Sequence, residues 1–152
     1  MAGKKKVTIS SITAAAREVS LGGKSFLLKP ITISDYGKIN NRIISSRVAS
    51  LRETMQDIGF DDDRQIKAIV EMNARIITSI EQRAWMFTLE GTAYVLYLSA
   101  RKIKEHEDIT VAAIEALLEE TAVMDMTNAL MFVTGFGDLI EDDDEDGDSK
   151  NG

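Results

Sequence analysis

The sequence of residues 17–30 is Arg-Glu-Val-Ser-Leu-Gly-Gly-Lys-Ser-Phe-Leu-Leu-Lys-Pro. The pattern up to Pro30 is typical of β-strands, whereas the pattern after it is helical. Two short runs with strand-forming residues flank Gly22 and Gly23. Because glycine readily adopts the positive φ angles of a two-residue hairpin turn, this pair predicts a tight turn between antiparallel strands. We therefore predict a hairpin over 17–29, with strands near residues 17–21 and 25–29.

The residues before this hairpin allow two interpretations. Apolar Val7 and Ile9 alternate with hydroxyl residues, which is the pattern of a strand. Residues 4–6 are three lysines and favour a loose basic arm instead. A third strand and a basic arm both stay open for residues 1–12.

After Pro30, which is the only proline, the pattern is helical. Thr32 or Ser34 can cap a first helix, and Gly59 is expected to end it. Residues at helical spacing form one apolar stripe along it: Tyr36, Ile39, Ile43, Ile44, Val48, Leu51 and Met55.

A second helix is expected after the three aspartates 61–63, because Asp62 and Gln65 have the spacing of a capping box. Its apolar stripe runs through Ile66, Ile69, Val70, Ile76, Ile77, Ile80 and Ala84, with Asn73 as a polar interruption. A third helix is predicted from about Thr88 to Lys104. Its centre, residues 93–98, is apolar on all sides and should be the most buried element.

Thr110 is expected to cap a last helical region that continues to Val133 and ends at Gly135 and Gly137. The predicted core-facing stripe near its end consists of Val123, Met126, Leu130 and Val133. The fold class is therefore mainly α (α+β), with an N-terminal β-hairpin followed by about four helices.

The charge is unevenly distributed. The chain of 152 residues has a formal net charge of −7, and eight of its acidic residues lie in residues 138–152. Residues 1–137 hold 17 basic and 17 acidic residues. We therefore predict a single α-rich domain over 1–137 and a disordered acidic tail over 138–152. The tail matches part of a calcium-loop pattern from Asp142 to Asp148 but ends before the required glutamate, so a solvated polyanion is favoured.

The composition argues against most enzyme classes. The chain has no cysteine and one histidine, His106, which lies in a charged link where a solvated side chain is expected. No phosphate-binding loop or nucleophile turn is present. No basic stripe indicates nucleic-acid binding, and the longest apolar run is far shorter than the roughly 20 residues of a membrane span. We expect no enzyme activity, no cofactor and no metal.

Seven methionines and several aromatic residues suggest a protein-binding surface. Flexible thioether side chains adapt to different apolar partners, although methionine in a helical stripe is more often part of the core. Residues that fall off the predicted stripes are the candidate partner-binding residues. They are Trp85, Phe87, Met124, Met131 and Phe132.

Two stretches resemble the tail assembly chaperones of long-tailed bacteriophages. Residues 20–36, Ser-Leu-Gly-Gly-Lys-Ser-Phe-Leu-Leu-Lys-Pro-Ile-Thr-Ile-Ser-Asp-Tyr, are similar to the family's opening hairpin, Gly-Lys turn and Lys-Pro-Ile-Thr step into a helix. Residues 91–118 are similar to an apolar helix that ends in basic residues, a short link and a last helix beginning at Ile-Thr. Glu107 stands where the family pattern has proline. With the closing Val133-Thr-Gly135, the resemblance covers about 17–135.

The resemblance implies a non-enzymatic role in virion assembly. Such a chaperone would bind apolar helical segments of the tape measure protein in the host cytoplasm and keep them soluble, with the tail tube protein as a second candidate partner. A homo-oligomer and a longer, frameshifted form stay open. Two other hypotheses compete with this one: a phage structural adaptor or connector component, and an acidic nucleic-acid mimic that inhibits a basic protein through residues 138–152.

Overall fold

The computed structural model describes residues 15–137. Its elements are β1 (Arg17–Leu21), β2 (Lys24–Leu28), α1 (Ile33–Ile58), α2 (Asp62–Asn73), α3 (Ser79–Met86), α4 (Leu89–Ala100), a 3-10 turn (Lys104–His106), α5 (Val111–Glu119) and α6 (Val123–Thr134). The mainly α fold with an N-terminal hairpin is confirmed. The predicted third strand or basic arm, the partial calcium loop and the acidic tail lie outside the described residues.

The hairpin forms as its glycines predict. Gly22 and Gly23 have φ angles of 58° and 72°, and β1 pairs with β2 in antiparallel register with Leu21 opposite Lys24. Positive φ at both central residues is the conformation of a two-residue turn whose twist matches the strands. The second strand begins one residue earlier than predicted.

The described residues divide into two compact units. The hairpin unit consists of residues 15–31 and 89–137, and the α1–α3 unit consists of residues 32–88. The single domain predicted over 1–137 stays a prediction.

The hairpin unit is organised around α4. This helix packs against β2, α5 and α6, and β1 packs against α6. Eight of the twelve residues of α4 are buried, so the prediction that it is the most buried helix is confirmed. It ends at Ala100, four residues earlier than predicted, and a 3-10 turn follows. Leu130 and Val133 of α6 are buried as predicted, whereas Val123 begins the helix and is 73% exposed.

The α1–α3 unit has a thinner core. Helix α1 packs against α2 and α3, but only four of the sixteen buried apolar residues found within 15–137 belong to this unit: Ile39, Ile43, Met55 and Met86. Thr32 precedes α1, and its N–H donates to Asp35 Oδ2 at 2.7 Å. Gly59, with φ 81°, ends the helix as predicted. A thin core leaves many apolar side chains of this unit without cover.

The number of helices differs from the prediction, because two predicted helices are each divided. The second stripe breaks after Asn73, and α3 starts at a capping box in which Thr78 N–H donates to Glu81 Oε2 at 2.9 Å and Glu81 N–H donates to Thr78 Oγ1 at 3.2 Å. Helix α2 is capped by Asp61, whose Oδ1 accepts from Arg64 N–H at 2.9 Å, so the predicted cap at Asp62 is wrong by one residue.

The last helical region breaks between α5 and α6. Thr110 caps α5 as predicted, with its Oγ1 accepting from Ala113 N–H at 3.1 Å. Thr121 lies in the break, where its hydroxyl accepts from Gly22 N–H at 2.7 Å and donates to Leu117 O at 2.6 Å. A contact with the hairpin turn therefore occupies the position where the helix was expected to continue.

Candidate functional site

A groove lies between β1 and α6 within the hairpin unit. Its volume is about 910 Å³. Side chains and backbone of both elements line it, and they include Arg17, Glu18 and Ser20 from β1 and Asp125, Met131 and Phe132 from α6. The α6 wall combines apolar side chains, among them Met131 and Phe132, with polar ones, among them Asp125 and Asn128.

The hairpin determines what β1 presents to this groove. In a two-residue hairpin the pair next to the turn, Leu21 and Lys24, is hydrogen-bonded, and such pairs alternate along the strands. The backbone N–H and C=O groups of Glu18 and Ser20 therefore point away from β2. Both residues line the groove, so the groove combines the α6 wall with a strand edge that is unpaired within residues 15–137.

Two of the predicted partner-binding residues lie in this groove. Met131 and Phe132 are both half-buried there. The Arg17 guanidinium lies over the Phe132 ring, with 5.4 Å between Cζ and the ring centroid, a cation–π distance. This contact holds an aromatic ring at the side of the groove.

The other three predicted residues do not line the groove. Met124 is in the first turn of α6 and is 70% exposed. Trp85 is half-buried in α3, and Phe87, which caps the end of that helix, is 53% exposed. The structure therefore places Met131 and Phe132 together in the hairpin unit and Trp85 and Phe87 together in the α1–α3 unit. The binding role of all five stays a prediction.

Four residues of the predicted second apolar stripe are exposed in the structure. Ile66, Val70, Ile76 and Ile80 are between 60% and 84% exposed. Their helical spacing predicts one apolar face but does not show how much of that face a neighbouring helix covers. Among the described residues, eleven large apolar side chains are exposed, and eight of them belong to the α1–α3 unit.

Two titratable groups have shifted pKa values, and His106 packs against an aromatic ring. His106 stacks on Phe26 with ring centroids 4.9 Å apart and is half-buried. The sequence predicts a solvated side chain, so His106 is less exposed than expected. Burial raises the pKa of Tyr36, and the nearby Arg83 opposes this shift. Hydrogen bonds from the Thr78 backbone and hydroxyl lower the pKa of Glu81. Each of these shifts arises from packing or helix capping.

Residues 15–137 also bear on metal sites and membrane spans. Over this range, no group of three or more His, Asp or Glu side chains is arranged to hold a metal ion. Helices in the same range are too short or too polar to cross a membrane. Comparisons with protein-family models, with curated proteins and with solved structures found no match.

Proposed function

We propose that this protein is a phage tail assembly chaperone that binds apolar helical segments of the tape measure protein and keeps them soluble in the host cytoplasm. One observation supports the proposal beyond the resemblance: eleven large apolar side chains are exposed within residues 15–137. Scattered exposed apolar residues are normal on any protein, but eight of these eleven lie within residues 32–88, so they are concentrated in the α1–α3 unit.

The chemistry of these residues fits an apolar helical partner. Phe87 and Met124 are each more than half exposed, and a partner helix that covered either one would remove its apolar surface from water. Amphipathic helices are recognised by apolar grooves through contacts one helical turn apart. The groove that holds Met131 and Phe132 supplies further apolar side chains for such contacts.

Co-expression tests the proposal. A long helical tape measure fragment from the same phage genome is produced with and without the protein, and the soluble fraction of the fragment is measured. We expect the protein to raise that fraction several-fold and to remain bound to the fragment. Phe87→Ser should reduce the effect, whereas Ser45→Ala, a change at an exposed polar position of α1, should leave it unchanged. An equally insoluble fragment with and without the protein would contradict the proposal.

The composition of finished particles distinguishes the proposal from its closest rival. A chaperone leaves before the tail is complete, so the protein should be absent from purified virions. A structural adaptor or connector would be present at a fixed number of copies per particle. Detection of a fixed stoichiometry by quantitative mass spectrometry would therefore favour the rival.

A further inference from the structure

Helix α2 has an exposed apolar face. Ile66 and Val70 are 60% and 61% exposed, and a separation of four residues places them on the same side of the helix. The side toward α1 is different: Met72 lines a cleft there together with Leu51 and Thr54 of α1. None of the residues of α2 is buried. The Ile66–Val70 face therefore lacks a covering element among the described residues.

Charged and polar residues stand at the two ends of this face. Asp62 and Asp63 lie one turn before Ile66, and neither carboxylate forms an ion pair with another described residue. Asn73 lies on the same side, one turn after Val70. Arg75 follows the helix end; it contributes to lowering the pKa of Glu81 but forms no ion pair within the part of the chain described. From its N-terminal to its C-terminal end, the face runs from two carboxylates through Ile66 and Val70 to the amide of Asn73, and Arg75 follows in the sequence just after the helix.

This order makes the face complementary to itself in one orientation only. In an antiparallel pair related by a twofold axis, Ile66 of each copy faces Val70 of the other. The same register brings Asp62 and Asp63 of each copy to the Asn73 and Arg75 end of the other. A parallel pair would instead place the four carboxylates together, where like charges repel.

We propose that α2 pairs with α2 of a second copy of this chain in an antiparallel, twofold-symmetric contact through Ile66 and Val70. Charge complementarity between the two ends of the helix selects this partner and this orientation. The face is small compared with the interfaces of permanent dimers, so the pairing depends on protein concentration. It is a separate contact from the groove between β1 and α6 and does not require the tape measure protein.

Analytical ultracentrifugation of the full chain tests the pairing. We expect the weight-average mass to rise from the monomer value of 16.8 kDa toward twice that value as concentration increases. Val70→Lys should weaken the association at least about tenfold, because it buries an unpaired charge. Ile80→Lys changes another exposed apolar residue, 79% exposed and outside α2, and should not weaken it. A chain that stays monomeric at all concentrations, or equal effects of both variants, would overturn the proposal.

A charge-reversal cycle tests the orientation. Asp62→Arg and Arg75→Asp should each weaken the association by roughly threefold to tenfold, and the double variant should recover most of the loss. Because the chain has no cysteine, single cysteines provide a second readout. A mixture of the Ile66→Cys and Val70→Cys proteins should form mixed disulfide dimers under mild oxidation. Preferential Ile66→Cys homodimers, or a double charge variant no better than either single one, would overturn the antiparallel contact.

Discussion

The buried hydroxyl of Ser99 in α4 is bonded to both backbone groups of Lys29. Lys29 N–H donates to Ser99 Oγ at 2.9 Å, and the same hydroxyl donates to Lys29 O at 2.5 Å. Lys29 is the first residue after β2, where the strand ladder has ended. The Ser99 side chain therefore provides the hydrogen bonds that a further strand would have provided to Lys29. It also connects the end of the hairpin to α4, the most buried helix.

Ser99→Ala should destabilise the protein, because it leaves a part-buried N–H and C=O of Lys29 without their partner. The expected loss in the free energy of unfolding is about 1–3 kcal/mol. Urea denaturation followed by circular dichroism measures it. Thr54→Ala is the matched control: the Thr54 hydroxyl is exposed and bonds only to Ser50 O in its own helix, so its loss should be within about 0.5 kcal/mol. Equal losses for both variants would contradict the role of Ser99.

The hairpin turn offers a second pair of variants. Alanine at either glycine would have to adopt a positive φ angle, which lowers the free energy of unfolding by roughly 1–2 kcal/mol. A Cβ at Gly22 would also lie 3.0 Å from Leu117 Cδ2 and 3.3 Å from Leu117 O, whereas a Cβ at Gly23 meets no atom within 4 Å. Gly22→Ala should therefore lower the free energy of unfolding more than Gly23→Ala, by about 1 kcal/mol or more. Similar losses in denaturant titrations would mean that the turn does not rest against α5.

Local signals predicted much of this fold. The Gly22-Gly23 pair, the Gly59 helix end and the Thr110 cap all depend on residues close together in the sequence. The start of α3 was missed although its signal was present: Thr78 and Glu81 have capping-box spacing, but the isoleucines on both sides suggested one continuous helix. The apolar periodicity continues across this position, so it does not show that a new helix begins at the capping box.

Other features depend on contacts that no local pattern contains. The break before α6 has no side-chain cap, and Thr121 interrupts the helical region by bonding to Gly22, 99 residues earlier in the chain. The exposure of Ile66 and Val70 has the same origin. Their spacing predicts an apolar face, but the extent of its cover is a property of tertiary packing. Among the candidate binding residues, Met131 and Phe132 are neighbours in the sequence, and this adjacency is the one local signal that predicts their shared place in the groove.

Glu81 provides a pH-dependent contribution to stability. Its pKa is lowered from the ordinary value of 4.5 by the Thr78 hydrogen bonds, so the folded state favours the carboxylate. This contribution is complete above the unfolded-state pKa and is lost as the pH falls through the lower folded-state pKa. The stability difference between wild type and Glu81→Gln should therefore shrink as the pH is lowered below about 4.5. Thermal unfolding at pH 7 and in steps down to pH 3 measures it, and a difference that grows on acidification would contradict the assignment.

Met124 allows the proposed holding activity to be tested with little effect on folding. The residue is 70% exposed in the first turn of α6, where an acidic side chain suits the positive end of the helix dipole. Met124→Glu should therefore change the free energy of unfolding by less than about 0.5 kcal/mol. Its effect on partner binding should be much larger, because a carboxylate would have to lose its water against an apolar helix.

Met124→Leu keeps a similar apolar volume and serves as the control. If Met124 contacts the tape measure protein, the soluble fraction of the co-expressed fragment should fall with Met124→Glu and stay near the wild-type value with Met124→Leu. Equal solubility with both variants would remove Met124 from the binding surface and would direct attention to Met131 and Phe132. The groove between β1 and α6 would then be the part of the hairpin unit where an apolar partner segment still has a defined wall to bind.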